Sequence, residues 1–354
     1  MKPRSKWGHY LKEGNETPGG EMWRRGAVGV GLITGVTALM ASIAAGGPAA
    51  ARAPNADDGA TVVGERRRGP RVLDLAVRSP VLADVAHVRL LVPPGWSRDA
   101  SRTWPALWLL HGGPGPNDHT AWTAHTDLER LTAELQIIVV MPDGGSCGNY
   151  TDWWNRGGGG PPKWETFHLT ELRQILERGY RAGTQRAIAG NGAGGTGALA
   201  YAARHRGLFR AAASFSGAPH TLHRDPRALD VADVVELSVA VADPDADWTD
   251  VWGDPERQRI VWRQHNPYDL ADRLSGVRLY IASGDGEPGP YDPAPGTDPD
   301  VLESLARTVT ARFTAKLDQL GIPASTHLYR GTHTWPYWRR ELRAALPLLV
   351  SELA

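Results

Sequence analysis

Hydrophobic positions along the chain change repeatedly between the period of a strand and the period of a helix. Residues 72–77 and 87–92 alternate apolar and polar side chains, which is typical of half-buried strands. The continuous apolar runs 106–110 and 137–141 are typical of strands buried on both faces. The same patterns predict strands at 186–189, 209–215, 277–282 and 325–329 and helices at 122–135, 165–180, 194–204, 300–320 and 339–353. This order predicts an α/β fold with a mainly parallel central sheet and helices on both faces.

The local composition predicts a signal region, a linker and one folded domain along the chain. A basic pair, an apolar small-residue run and an Ala-x-Ala exit predict an N-terminal secretory signal region over 1–53, with Met22 as a possible true start. A single membrane anchor is the alternative for this run. Residues 54–69 are polar and basic and are expected to be a flexible linker. Residues 70–354 are expected to form one domain, in which the weakly patterned 218–268 is a cap-like insertion.

Charge and cysteine content exclude several functional classes. Lys+Arg and Asp+Glu both number 39, so a balanced chain offers no electrostatic case for binding nucleic acid. The single cysteine, Cys147, excludes an internal disulfide framework. Neither a Cys/His metal spacing nor a phosphate-binding glycine loop is present, so no cofactor is expected.

A glycine-rich turn between a predicted strand and a predicted helix carries the most chemical information. Gly190-Asn191-Gly192-Ala193-Gly194 has the spacing of the Gly-x-Ser-x-Gly nucleophile elbow, with Gly192 at the position of the serine. The nearest hydroxyl belongs to Thr196, about one turn into the helix, and is expected to point away from the mouth of a site. His333 follows the last predicted strand, where the chain order of a hydrolase triad places its histidine.

Seven segments spread along the chain carry a family resemblance. They are LWLLHGG, VVMPDGG, NYTDWW, KWETF, ELRQIL, AIAGNGAGG and GTHTWPYW. In this order they resemble the mycolyltransferase (antigen 85 complex) and esterase D group of the α/β hydrolases. The resemblance covers nearly all of 70–354 and implies an α/β-hydrolase fold with serine esterase or acyltransferase chemistry.

The resemblance also implies which residues form the site. The group uses an elbow serine, a downstream carboxylate and a late histidine. Carried over to this sequence, the degenerate nucleophile position is Gly192 and the histidine is His333. The acid falls among Asp292, Glu287 and Asp285, and the motif does not select one of them.

Backbone donors and aromatic side chains complete the expected site. The oxyanion hole of the group would use the backbone N–H of Ala193 and one from the Gly112–Gly113 loop. Several tryptophans fall near the implied site and are candidates for the walls of a groove for sugar or acyl chains: Trp153, Trp154, Trp164, Trp335 and Trp338.

Two alternative functions are compatible with the absence of a side-chain hydroxyl at residue 192. The first is a secreted, catalytically impaired homologue that binds a glycan or an acyl-lipid in the former active site, with possible association with the cell envelope. The second is an active carboxylesterase or acyltransferase that uses an unidentified nucleophile or a water activated by His333.

Overall fold

The computed structural model describes residues 54–113, 118–225, 228–293 and 298–353. The expected signal region, including Met22, lies outside these residues. Within the described ranges, none of the helices combines the length and the apolar character needed to cross a membrane.

One nine-stranded sheet forms the centre of the protein, in the order β1-β2-β3-β5-β4-β6-β7-β8-β9. The first three strands and β5 pair in antiparallel fashion, and every later neighbour in the order is parallel. The strands are β1 Thr61–Arg67, β2 Val72–Ser79, β3 Asp84–Leu91, β4 Trp104–Leu110, β5 Ile138–Pro142, β6 Ala182–Asn191, β7 Ala211–Phe215, β8 Arg278–Ser283 and β9 Ala324–Leu328. This mainly parallel sheet confirms the predicted fold class.

The stretch expected to be a linker instead contains the edge strand β1. Its residues Thr61–Arg67 pair with β2, and Ala60 just before it is fully buried. The Tyr180 hydroxyl donates a hydrogen bond of 2.6 Å to Glu65 of this strand. Charged side chains are usual on edge strands because they discourage further strand pairing. The same charges made the segment resemble a linker in the sequence.

The described residues form nine α-helices when the continuous run from Trp164 to Gly179 is counted as one, and some are shorter than the hydrophobic pattern predicts. The predicted helix at 122–135 is divided in two because Thr126 adopts an extended conformation. The terminal helix begins at Trp335 rather than at 339, since Pro336 is well suited to a first helical turn. The helices are α1 Ala121–His125, α2 Leu128–Leu131, α3 Trp164–Thr166 (continued by the π-helical Phe167–Leu172 and by Arg173–Gly179), α4 Ala193–Arg204, α5 Val231–Ala242, α6 Thr249–Trp252, α7 Arg259–Gln264, α8 Val301–Gln319 and α9 Trp335–Ser351.

Both faces of the sheet are covered by apolar packing. In β4, Leu107 and Leu109 belong to one core, whereas Trp108 and Leu110 belong to the core on the opposite face. This two-sided burial explains the continuous apolar run of the central strands. Residues 218–268 supply α5, α6 and α7 between β7 and β8, and they have a small core of their own around Trp252 and Trp262.

Candidate active site

The turn from β6 into α4 has a left-handed backbone at Gly192. Its φ is 52° and its ψ is −123°, and its N–H donates a hydrogen bond of 2.9 Å to the carbonyl of Phe215 at the end of β7. L-residues rarely adopt a positive φ, whereas glycine does so without steric cost. The turn therefore presents residue 192 at the end of β6, ahead of the first helical residue Ala193.

Two further glycines allow β6 and α4 to approach closely. A Cβ atom on Gly190 would overlap the backbone of Gly194. A Cβ on Gly194 would lie 2.5 Å from the carbonyl oxygens of Leu110 and His111. The outer glycines of the elbow spacing are thus required by contact between backbones.

His333 faces the elbow from the loop that precedes α9. A Cβ built on Gly192 would lie 3.2 Å from His333 Nε2, so this ring nitrogen points at the side-chain position of residue 192. The other ring nitrogen, Nδ1, lies 2.7 Å from Oε2 of Glu303. About a fifth of the His333 side chain is exposed, whereas that of Glu303 is fully buried. The pair has the histidine–acid geometry of a hydrolase triad.

Glu303 is held by donors from three segments. Its Oε1 accepts hydrogen bonds from the hydroxyls of Ser216, at 2.7 Å, and Ser283, at 3.3 Å, and from the N–H of Gly284. Glu303 lies in the first turn of α8, whose N-cap is Asp300. With these partners and His333, both carboxylate oxygens of the fully buried Glu303 have hydrogen-bond partners.

The expectation that the acid of the triad lies within 285–292 is wrong, because the carboxylate that pairs with His333 is Glu303. Asp292 instead accepts hydrogen bonds from the Thr332 and Tyr337 hydroxyls, the latter at 2.7 Å. Asp285 accepts from the N–H groups of Gly331 and Glu287, and the side chain of Glu287 is exposed. Asp292 and Asp285 therefore fasten the loop that carries His333 and do not pair with its ring.

The expected oxyanion donors border the same cavity as Gly192. Ala193 is the first residue of α4, so its N–H has no partner within the helix. The loop after β4 brings Gly112 and Gly113 to this point. A Cβ on Gly112 would lie only 3.0 Å from the side-chain nitrogen, Nδ2, of the fully buried Asn191. The loop is therefore close against the elbow.

A cavity of about 550 Å³ opens in front of Gly192 and His333. Its volume lies within the range of small-molecule sites, roughly 300–1,000 Å³. Aliphatic side chains from α5 and from the start of α8 form most of its apolar wall, and Trp335 and Trp338 of α9 add aromatic rings. The apolar lining residues are Ala218, Val231, Val234, Val235, Leu237, Val241, Trp252, Leu302, Leu305, Ala306, Trp335 and Trp338.

Of the five tryptophans expected to wall a groove, Trp335 and Trp338 line the cavity, whereas Trp153, Trp154 and Trp164 do not. Trp153 packs against the small core of the 218–268 segment and donates to the Gly148 carbonyl. Trp164 packs on the main core, against Gly145 and Gly148. Trp252 does line the cavity, and the sequence did not single it out because it lies in the weakly patterned insertion.

Thr221 lines the cavity with a buried hydroxyl that lacks a hydrogen-bond partner, whereas three other nucleophilic side chains in this region are hydrogen bonded or unreactive. Thr196 lines the cavity, contrary to expectation, but its hydroxyl accepts a hydrogen bond of 2.7 Å from the Ala218 N–H. The Ser216 hydroxyl donates to Glu303 and accepts from Trp338 Nε1. Burial, together with the negative charge of Asp243, raises the pKa of Cys147 to about 11, so its thiol is protonated near neutral pH. No cluster suited to a metal ion occurs in the described ranges.

Comparison with known proteins identifies the family. The model of a family described as "Putative esterase" matches residues 79–349, which is most of the chain. This chain belongs to that esterase family.

Individual relatives agree with this esterase assignment. "Esterase Rv1288" of Mycobacterium tuberculosis is 32% identical over 280 residues, which cover 78% of this chain but only 59% of that protein. "Diacylglycerol acyltransferase/mycolyltransferase Ag85B" of Mycolicibacterium smegmatis is 29% identical over 255 residues, covering 68% of this chain and 75% of its own. The crystal structure of Mycobacterium tuberculosis MPT51 (FbpC1) matches with a TM-score of 0.63 and 24% identity, covering 81% of this chain and all of its own. This chain is therefore a relative of esterases and mycolyltransferases with the same fold.

The electrostatics of this esterase-family site favour a charged histidine. Burial acts to lower the pKa of His333, but the hydrogen bond and charge of Glu303, with a further contribution from Asp300, outweigh it and raise the pKa above its ordinary value. The pair therefore stabilises the fold fully below about pH 6.5, the unfolded value. This contribution is lost as pH rises through the folded pKa.

Replacing Glu303 by glutamine tests the acid assignment. In Glu303→Gln the charge is lost while the burial remains, so the pKa of His333 should fall below that of the wild type. The matched variant Asp292→Asn should leave the His333 titration almost unchanged. Histidine side-chain NMR across a pH series measures both. A larger fall in Asp292→Asn than in Glu303→Gln would assign the acid to Asp292 instead.

Proposed function

We propose that this member of the esterase family is a catalytically impaired hydrolase whose cleft binds an acyl-lipid ligand. The observation that carries the proposal is the elbow itself. Gly192 stands with nucleophile-like backbone geometry in front of an intact His333–Glu303 pair and a large apolar cavity. The binding parts of a hydrolase are kept, and the atom that would attack an ester is missing.

The size of the expected defect follows from triad chemistry. Loss of the nucleophile from a serine hydrolase costs on the order of 10⁶ in kcat, and the residual rate comes from the oxyanion hole and from binding. That factor corresponds to about 8 kcal/mol of activation free energy. The engaged hydroxyl of Thr196 and the protonated thiol of Cys147 offer no replacement of comparable reactivity.

The walls of the cavity favour an acyl chain over the alternative ligand, a glycan. Valines and leucines from α5 and α8 are the largest group of apolar side chains in the lining, and the apolar surface of the cavity exceeds its polar surface. Burial of each methylene group in such a site contributes about 0.8 kcal/mol. A sugar ring would find aromatic surface at Trp335 and Trp338, but most of the exposed cavity surface is apolar and would leave its hydroxyls without partners.

Slow hydrolysis by a water molecule is the second candidate function. The intact hydrogen bond between His333 Nδ1 and Glu303 favours it, because a histidine oriented in this way can act as a general base. Such turnover would depend on His333 and would pass through no covalent intermediate.

Restoring the serine tests the proposed defect. Gly192→Ser should raise hydrolysis of p-nitrophenyl esters at least ~100-fold, because a triad loses far more than this without its nucleophile. It should also destabilise the fold by about 1–3 kcal/mol because of the positive φ, and His333 must shift slightly to admit the new Cβ. Ester turnover and thermal unfolding of the purified protein measure the two effects.

Three control variants are needed to interpret the result: Gly192→Ala, the double variant Gly192→Ser with His333→Ala, and His333→Ala alone. Gly192→Ala adds the same strain without a hydroxyl, so it should lose stability and gain no activity. Adding His333→Ala to Gly192→Ser should abolish the gained activity. Wild-type turnover equal to that of Gly192→Ser would contradict the proposed impairment. Weak wild-type turnover that disappears in His333→Ala would establish the water-dependent function in its place.

We also propose that residues 1–53 direct export and that the mature chain lies outside the cytoplasm, in the medium or at the cell envelope. The support is the sequence pattern of a basic pair, an apolar run and an Ala-x-Ala exit.

Sequencing the N-terminus of the chain from its native host tests the export proposal. The expected mature N-terminus lies between residues 51 and 54, in protein recovered from the medium or the cell envelope. Recovery of the chain from the cytoplasm with residues 22–50 still attached would contradict it.

A further inference from the structure

Building on the proposed acyl-lipid function, we infer that the ligand is a free long-chain carboxylate. Its head group binds between His333 Nε2 and the first turn of α4, and its chain lies in the apolar cavity. The inference combines a basic side chain, a helix N-terminus and an apolar cavity that meet at one residue without a side chain, Gly192.

The glycine changes what His333 can bind. In a serine hydrolase the Nε2 atom is hydrogen bonded to the elbow hydroxyl. Here Nε2 faces the Cα of Gly192, and a Cβ at that position would already lie 3.2 Å from it. One carboxylate oxygen occupying the place of the serine hydroxyl would accept a hydrogen bond from protonated Nε2. A serine side chain would compete for that position.

The second oxygen of the carboxylate has donors on the other side of the elbow. Ala193 opens the 12-residue helix α4, and helix N-termini attract anions through their free N–H groups and their dipole. The Gly112–Gly113 loop borders the same space. In an esterase these donors serve the oxyanion, and a carboxylate oxygen carries a similar negative charge.

Among the described residues, the charged and titratable groups facing His333 come from α8 and α1. Glu303 and Asp300 carry negative charge, but protein donors compensate both. Glu303 accepts four hydrogen bonds, and Asp300 accepts from the N–H groups of Leu302, Glu303 and His333. His125 of α1 lines the cavity and stacks on Trp335. His333 is the one of these two histidines whose Nε2 points at the position of residue 192, so its protonation makes head-group binding depend on pH.

Dodecanoate and dodecanol separate the head group from the chain. By calorimetric titration at pH 6, dodecanoate should bind the wild-type protein at least tenfold tighter than dodecanol. This advantage should disappear as pH rises through the pKa of His333, while dodecanol binding stays constant. Shortening the chain should weaken both ligands roughly fourfold per methylene group.

Matched variants locate the two halves of the ligand. His333→Gln should remove the advantage of dodecanoate, whereas His87→Gln, an exposed histidine on β3, should keep it. Val234→Trp, at a half-buried cavity residue, should weaken both ligands because it fills the cavity. Gly192→Ser should weaken dodecanoate selectively.

The outcomes distinguish this inference from the proposed function. Equal and pH-independent binding of dodecanoate and dodecanol would overturn the carboxylate assignment and leave an acyl-lipid site. Binding of neither ligand by the wild-type protein would overturn the inference together with its acyl site. An advantage of dodecanoate that survives in His333→Gln would place the carboxylate elsewhere. Ester turnover of Gly192→Ser reports on the impairment separately from all of these measurements.

Discussion

The close contact between β6 and α4 is the constraint on which the site depends. Gly190 and Gly194 touch through their backbones, so the chain must reverse within two residues and residue 192 must take a positive φ. This turn aims residue 192 at His333 and places Ala193, the first residue of α4, at the edge of the cavity. The same constraint positions a nucleophile in an active hydrolase. Here it positions a glycine, which fits the turn without strain.

The remaining parts of the site do not need a serine at position 192 for their stability. Glu303 is held by Ser216, Ser283 and Gly284 from the ends of β7 and β8, and His333 is held by a loop fastened through Asp292. Buried polar groups with satisfied hydrogen bonds persist whether or not chemistry occurs beside them. The His333–Glu303 pair can therefore survive the loss of the nucleophile, which accounts for a complete acid–histidine pair beside a glycine in an esterase-family structure.

The sequence was sufficient for the fold class, because the strands buried on both faces and the amphipathic helices have distinct periods. It was also sufficient for the position of the elbow, since only a strand, a sharp turn and a small-residue helix explain the glycine spacing. Glu303 was missed because it lies in a helix predicted from periodicity, where an acidic residue three positions after Asp300 resembles an ordinary first-turn residue. Its burial arises from contacts with β7, β8 and the His333 loop, which are distant in sequence. The edge strand β1 and the inward position of Trp252 were missed for related reasons: a charged edge resembles a linker, and the insertion has no clear period.

The central claim is that this chain forms no covalent acyl intermediate. The direct measurement is the intact mass of the wild-type protein after incubation with excess p-nitrophenyl dodecanoate, quenched in acid over a time series. The account predicts an unchanged mass at every time point, because no reactive hydroxyl faces His333. A mass increase of one dodecanoyl group that is absent in His333→Ala, and that peptide mapping places on a side chain of the cavity, would contradict it.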